Sequence, residues 1–171
     1  MKRKPKANPA AAPPSPSLLR PALLGAVDGL ITSFVIIASG LAAEVASPAV
    51  LGIGLASLVA DGVSMGASEV ISSGSESGAT VRALALKGAA CFLSFVAFGA
   101  CPLLVFYASP SVGPSTGAFV TLLFAIALGR SRLTREACFR SVAQVVGLGV
   151  VAGGIAYGIA SASAPALARV H

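Results

Sequence analysis

From Gly88 to Ala108 the chain runs without a single charged residue, and this is only one of several such stretches. Ser141–Ala168 carries none either, Leu23–Ala43 carries only Asp28, and Ala49–Ile71 carries only Asp61 and Glu69. About 20 apolar residues are what a helix needs to cross the hydrocarbon of a bilayer. A water-soluble domain usually devotes about 25% of its residues to charge. Here 11% of 171 residues are charged and 56% are hydrophobic, too little polar surface to cover a globule in water. The sequence therefore predicts an all-α integral membrane protein.

Five spans are expected, at about 23–43, 49–71, 88–108, 115–129 and 141–162, forming one transmembrane domain over residues 21–171. Residues 1–20, basic and then interrupted by prolines at 9, 13, 14 and 16, read as a disordered arm. The Ser-Pro-Ser-Val-Gly-Pro run at 109–114 reads as the turn between spans three and four. The net charge of +6 is not spread over a nucleic-acid-binding face but sits in clusters between spans. Lys2, Arg3, Lys4, Lys6 and Arg20 precede the first. Arg82 and Lys87 are read as the loop after the second, and Arg130, Arg132, Arg135 and Arg140 follow the fourth. The two other loops hold no Lys or Arg and only Glu44. Because basic loops stay inside, the N-terminus is expected in the cytoplasm and the C-terminus on the opposite side.

Cys91, Cys101 and Cys138 show no paired spacing and read as small buried hydrophobes. The sole histidine, His171, is the last residue, so no histidine metal site or His-based catalytic triad can be built within the spans. No nucleophile–base pair or Gly-rich phosphate loop is present, and the chain is read as no enzyme.

Chemistry inside the membrane falls to acids. A carboxylate at mid-helix costs roughly 2.5–3.5 kcal/mol on insertion scales, and neither Asp28 nor Asp61 has a Lys or Arg at helical spacing to neutralise it. With antiparallel spans, Asp28 lies roughly 8 Å inside the first and Met65 roughly 10 Å inside the second, at one level. Asp61, Met65 and Glu69 recur at four-residue intervals, flanked by Ser64, Ser68 and Ser72, with Glu76 at the cytoplasmic end. Carboxylate oxygen with thioether sulfur suits Fe²⁺ or Mn²⁺ better than Mg²⁺ or Ca²⁺, which take oxygen alone. The bland reading, interhelical hydrogen bonding by Asp61 and the serines, stands beside it. Gly25, Gly29 and Ser33, with Gly62 and Gly66, form small-residue faces that permit close helix contact, as do Gly149, Gly153, Gly154 and Gly158. In the first two spans these faces neighbour the carboxylates, so packing and pathway could coincide.

The segments LLGAVDGLITSF (23–34), LVADGVSMGASEVIS (58–72), SE (75–76), FLSFVAFGACPLL (92–104) and GRSRLT with RSVAQ (129–144) resemble the vacuolar iron transporter family. The resemblance implies a five-helix homodimer that exports cytosolic Fe²⁺ or Mn²⁺, commonly in exchange for protons, along a pathway at the dimer interface. The family's helix-one Asp falls on Asp28, its helix-two Met on Met65, and the following acidic positions on Glu69 and Glu76. Many members insert a glutamate-rich cytosolic metal-binding domain after helix two. Here about ten residues separate Glu76 from Lys87, so that domain is missing, as in the plant nodulin-like branch. No permanent cofactor is expected, and Fe²⁺ or Mn²⁺ enters as substrate.

Few ligands line one subunit, whereas such ions usually want about six, and a two-fold axis would double the set. Proton exchange also fits the energetics, since moving a divalent cation outward against 100 mV costs about 4.6 kcal/mol. The competing readings are a non-transporting membrane subunit or metal sensor, and a small-organic-cation exporter. Only 6% of residues are aromatic and none is Trp, too few for a cation–π cage. The expected location is a bacterial inner membrane, or a vacuolar-type membrane in a eukaryotic cell.

Overall fold

A computed structural model describes residues 17–76, 80–134 and 138–167, and the side chains of these except 76, 112, 132–134, 138–142, 144–145 and 164–167. Most of the expected arm, Arg135 and His171 therefore lie outside the described residues, as do the side chains of Glu76, Arg132, Cys138 and Arg140. Five helices carry the chain: α1 Leu19–Ala42, α2 Ser47–Glu76, α3 Val81–Ala108, α4 Val112–Thr134 and α5 Cys138–Leu167. Each contains a stretch long and apolar enough to cross a membrane, so the all-α, five-helix expectation holds.

The elements run longer than the hydropathy suggests: Arg20 lies in α1, Arg130 and Arg132 in α4 and Arg140 in α5 rather than in the arm or a loop. Arg82 and Lys87 are not loop residues; they lie in the first two turns of α3, which Thr80 caps by accepting a hydrogen bond from the Ala83 amide at 3.4 Å. The run at 109–114 is not wholly a turn, because α4 already starts at Val112. Pro114 falls in its first turn, where a missing N–H leaves no helical bond unmade. Between α1 and α2 the chain reverses within a few residues. Glu44 takes a left-handed φ of 56°, and Val45 N donates to Gly40 O at 2.8 Å.

At the centre stands α1, which packs against all four other helices, while α3 touches α1, α2 and α4. Among the described residues, helix α2 packs only on α1 and α3, and α5 only on α1 and α4. One apolar cluster joins α1 to α4 through Ala26, Leu30, Phe119, Leu123, Ile126 and Ala127. Phe34 stacks on Phe119 beside it, with ring centroids 4.2 Å apart. A second joins α1, α2 and α3 through Ile37, Val50, Leu58, Phe95, Leu103 and Phe106.

The α1–α3 seam is the tightest. A Cβ placed on Gly25 would collide with the Cys91 carbonyl, and one on Gly29 with the Phe95 carbonyl. The α2–α3 seam repeats the device, since a Cβ on Gly66 would lie 2.9 Å from the Gly88 carbonyl oxygen. Lipid offers no hydrophobic drive between helices, so close backbone approach through small residues carries the association. Gly25, Gly29, Gly62 and Gly66 are thus spent on α3 within the chain. On α5, Gly149 and Gly153 pack against Phe119, Leu123 and Phe34, whereas Gly154 and Gly158 face open space.

Candidate functional site

The helix contacts leave a gap. Among the described residues α2 and α5 do not touch each other, although both lie against α1. The strip of α1 that carries Leu24, Asp28 and Val35 is its less packed side: Leu24 is exposed, and Asp28 and Val35 are half-buried. Towards the α1–α2 turn this strip becomes an open groove of about 320 Å³, lined by Val35, Ser39 and Gly40 of α1, Val50 and Ile53 of α2, and Ser163 of α5.

Asp28 lies on this strip, roughly 14 Å along α1 from its first residue, deeper than the span boundaries alone suggest because α1 begins at Leu19. Asp61 of α2 is exposed on the surface of the chain and close enough to Asp28 for the two carboxylates to repel each other. Among the described residues nothing donates a hydrogen bond or an ion pair to either. Met65 lies roughly 16 Å from the last residue of α2, close to the level of Asp28. It is half-buried and packs against the cluster containing Leu58 and Phe95. The thioether thus fills core as well as standing near the acids.

Glu69 takes another direction. It is 8% exposed and turned into the α2–α3 seam, where Ser73 Oγ donates to its Oε1 at 2.9 Å. Ser73, itself 4% exposed, accepts from Lys87 Nζ of α3 at 3.2 Å. Ser64, Ser68 and Ser72 are exposed, and Ser72 donates to the Glu69 backbone carbonyl at 3.3 Å. The ladder read along α2 is therefore not one surface. A four-residue step turns a helix by roughly 40°, so a line that starts exposed at Asp61 passes half-buried Met65 and ends inside the protein at Glu69 and Ser73. Lys87 and Ser73 are hard to find from sequence because Lys87 stands just before the uncharged run and reads as a loop residue. The signal that could have found them was the Glu69–Ser73 spacing together with a lysine placed to return along an antiparallel helix.

Among the described residues no three of His, Cys, Asp and Glu come together closely enough within one chain to hold a metal ion. What one chain offers among the described residues is a pair of unneutralised acids, Asp28 and Asp61, inside helices long and apolar enough to cross a membrane. A family model described as VIT family matches residues 19–88, which take in all of α1 and α2 and the first turns of α3. Over these residues, less than half of the chain, the sequence is similar to that family, in line with the resemblance of its motifs to vacuolar iron transporters. The stretch matched contains Asp28, Asp61, Met65 and Glu69. A search of curated proteins finds no match to the chain.

Proposed function

We propose that the protein carries Fe²⁺ or Mn²⁺ out of the cytosol in exchange for protons, as a homodimer whose pathway runs between the α1 and α2 helices of two copies. The observation that carries this reading is the pair Asp28 and Asp61. Both are acids inside spanning helices, they lie within electrostatic reach of each other, and among the described residues neither has a basic or hydrogen-bonding partner. Two intramembrane carboxylates left uncompensated cost several kcal/mol unless a cation or a proton joins them, and the same groups can bind either, which is what exchange needs. Asp61 adds the case for a second copy. An exposed carboxylate in a span cannot face lipid cheaply, and a partner seated on the α2 side would cover it while bringing a second Asp28, Asp61 and Met65 to the axis. Orientation rests on the basic residues at the N-terminal end of α1 and around the α4–α5 junction, which favour a cytoplasmic N-terminus.

The test is uptake of Fe²⁺ and Mn²⁺ into liposomes carrying the purified protein under an imposed pH gradient. Flux should require the gradient and should be lost in Asp28→Ala and Met65→Ala variants that still insert. Wild-type flux in Met65→Ala would remove Met65 from the pathway, and wild-type protein that moves neither ion would sink the reading. Cysteines at Ser15 and Arg135 should be labelled from the cytoplasmic side alone, and one at Ser47 from the other side alone.

A further inference from the structure

The Lys87–Ser73–Glu69 chain is not accounted for by helix packing or by topology. A lysine kept near a helix start only to hold a loop inside would run its ammonium out to water. Lys87 does the opposite: its Nζ turns inwards and donates to a hydroxyl that is 4% exposed. The neighbouring residue, Gly88, is held against Gly66 by backbone contact, so the base of the Lys87 side chain is fixed at the seam. Ser73 joins the two charges. Its oxygen accepts from Lys87 while its hydrogen goes to Glu69 Oε1, which leaves a buried carboxylate compensated by a cation one hydroxyl away.

We propose that Lys87 is an internal competitor for the cation at Glu69, a positioning residue that sets how tightly the transported ion is held on its way through. The inference rests on the transport reading above and adds to it that the ion, after Asp61 and Met65, meets Glu69 about two further helical turns along α2 from Asp61. When no metal is present, the ammonium supplies the positive charge that the Glu69 carboxylate needs inside the protein. An arriving divalent ion takes over that role at twice the charge, and Lys87, still nearby, repels it. A conduction site must bind well enough to admit an ion and weakly enough to release it. A fixed like charge beside the carboxylate is a direct way to keep the site on the weak side.

The experiment is the concentration dependence of Mn²⁺ uptake into liposomes by wild type, Lys87→Gln, Lys87→Arg, Glu69→Gln and the double variant Lys87→Gln/Glu69→Gln. Removing the ammonium should lower the KM roughly tenfold, the scale on which one neighbouring charge shifts ion binding at a partly buried carboxylate. The maximal rate should fall at the same time, because release slows. Damage to packing would instead lower the rate without tightening the KM. Lys87→Arg retains the charge and should keep the wild-type KM. In the Glu69→Gln background the Lys87→Gln change should no longer lower the KM, since the carboxylate competed for has gone. An unchanged KM in Lys87→Gln, or an equal drop with and without the Glu69 carboxylate, overturns the competitor while leaving the transport reading intact. Absence of Mn²⁺ and Fe²⁺ flux in wild type overturns both.

Discussion

Helix α1 has two long sides that meet opposite requirements. Against α3 it presents Gly25 and Gly29, so stripped of side chain that the two backbones touch. On its other side it carries Leu24, Asp28 and Val35, which stay exposed or half-buried. The first side gains stability from contact alone, because lipid provides no other reason for helices to meet. The second forgoes that gain and holds a carboxylate in a setting where a carboxylate is expensive. A membrane protein of this size has few places to make such a sacrifice, and the side that stays open is the one on which function is to be sought.

The comparison breaks most visibly at the seam. Gly29→Leu should prevent α1 and α3 from closing, at a cost of about 3 kcal/mol or more, because the obstructing atoms belong to the Phe95 backbone and cannot turn aside. Loss of a monodisperse peak and of the thermal transition in detergent would register it. A Gly29→Leu variant as stable as wild type would mean that the α1–α3 contact is not where the structure puts it.

On the open side the signs reverse. Asp28→Ala should reduce metal flux by about tenfold or more, the scale of a weakened metal site. Its thermal stability should match or exceed wild type, since a buried charge has been removed. A clear loss of stability in Asp28→Ala would make Asp28 a structural residue and erase the contrast between the two sides.

The two sides were unequally legible in the sequence. The existence of the five helices could be read directly, because an uncharged run such as 88–108 has no other physical solution in a chain this poor in charge. Boundaries were lost where charge or proline sits on the helix itself, as Arg82 and Lys87 do on α3 and Pro114 does on α4. Faces were lost for a geometric reason. Gly29 follows Asp28 in the sequence, yet adjacent residues diverge by roughly 100° around a helix, so one meets α3 while the other borders the groove. The acids themselves were legible, since an unpaired Asp in a span is conspicuous whatever it faces. That Glu69 turns inwards to Ser73 and Lys87 depends on the direction of α3, which the residues of α2 alone do not contain.

A crosslink sharpens the meaning of the open side. Leu24 is 48% exposed and lies one helical turn before Asp28. A single cysteine there, in a background without Cys91, Cys101 and Cys138, should form a disulfide between two copies in native membranes, and Asp28→Ala should not abolish it. If active protein never crosslinks at this position and runs as a monomer, the strip faces lipid or water and the ion must pass within one subunit.

The smallest effect is predicted on α5, where two adjacent glycines reproduce the comparison in miniature. Gly153 points inwards, and a Cβ there would stand 2.8 Å from the Phe34 ring, the same ring that stacks on Phe119. Gly154, one residue on, has nothing within 4 Å. Gly153→Ala should disturb the Phe34–Phe119 stack and cost about 1–2 kcal/mol, because an aromatic ring held between α4 and α5 can shift only by breaking its own contacts. Gly154→Ala should be neutral or stabilising by up to about 1 kcal/mol, the gain expected when a helical glycine is replaced where space allows. Thermal melting of the two variants side by side measures the difference directly. Equal melting temperatures would place Phe34 elsewhere than against α5. A destabilised Gly154→Ala would reveal a partner on the outer face of α5, and with it a second helix at the interface between copies.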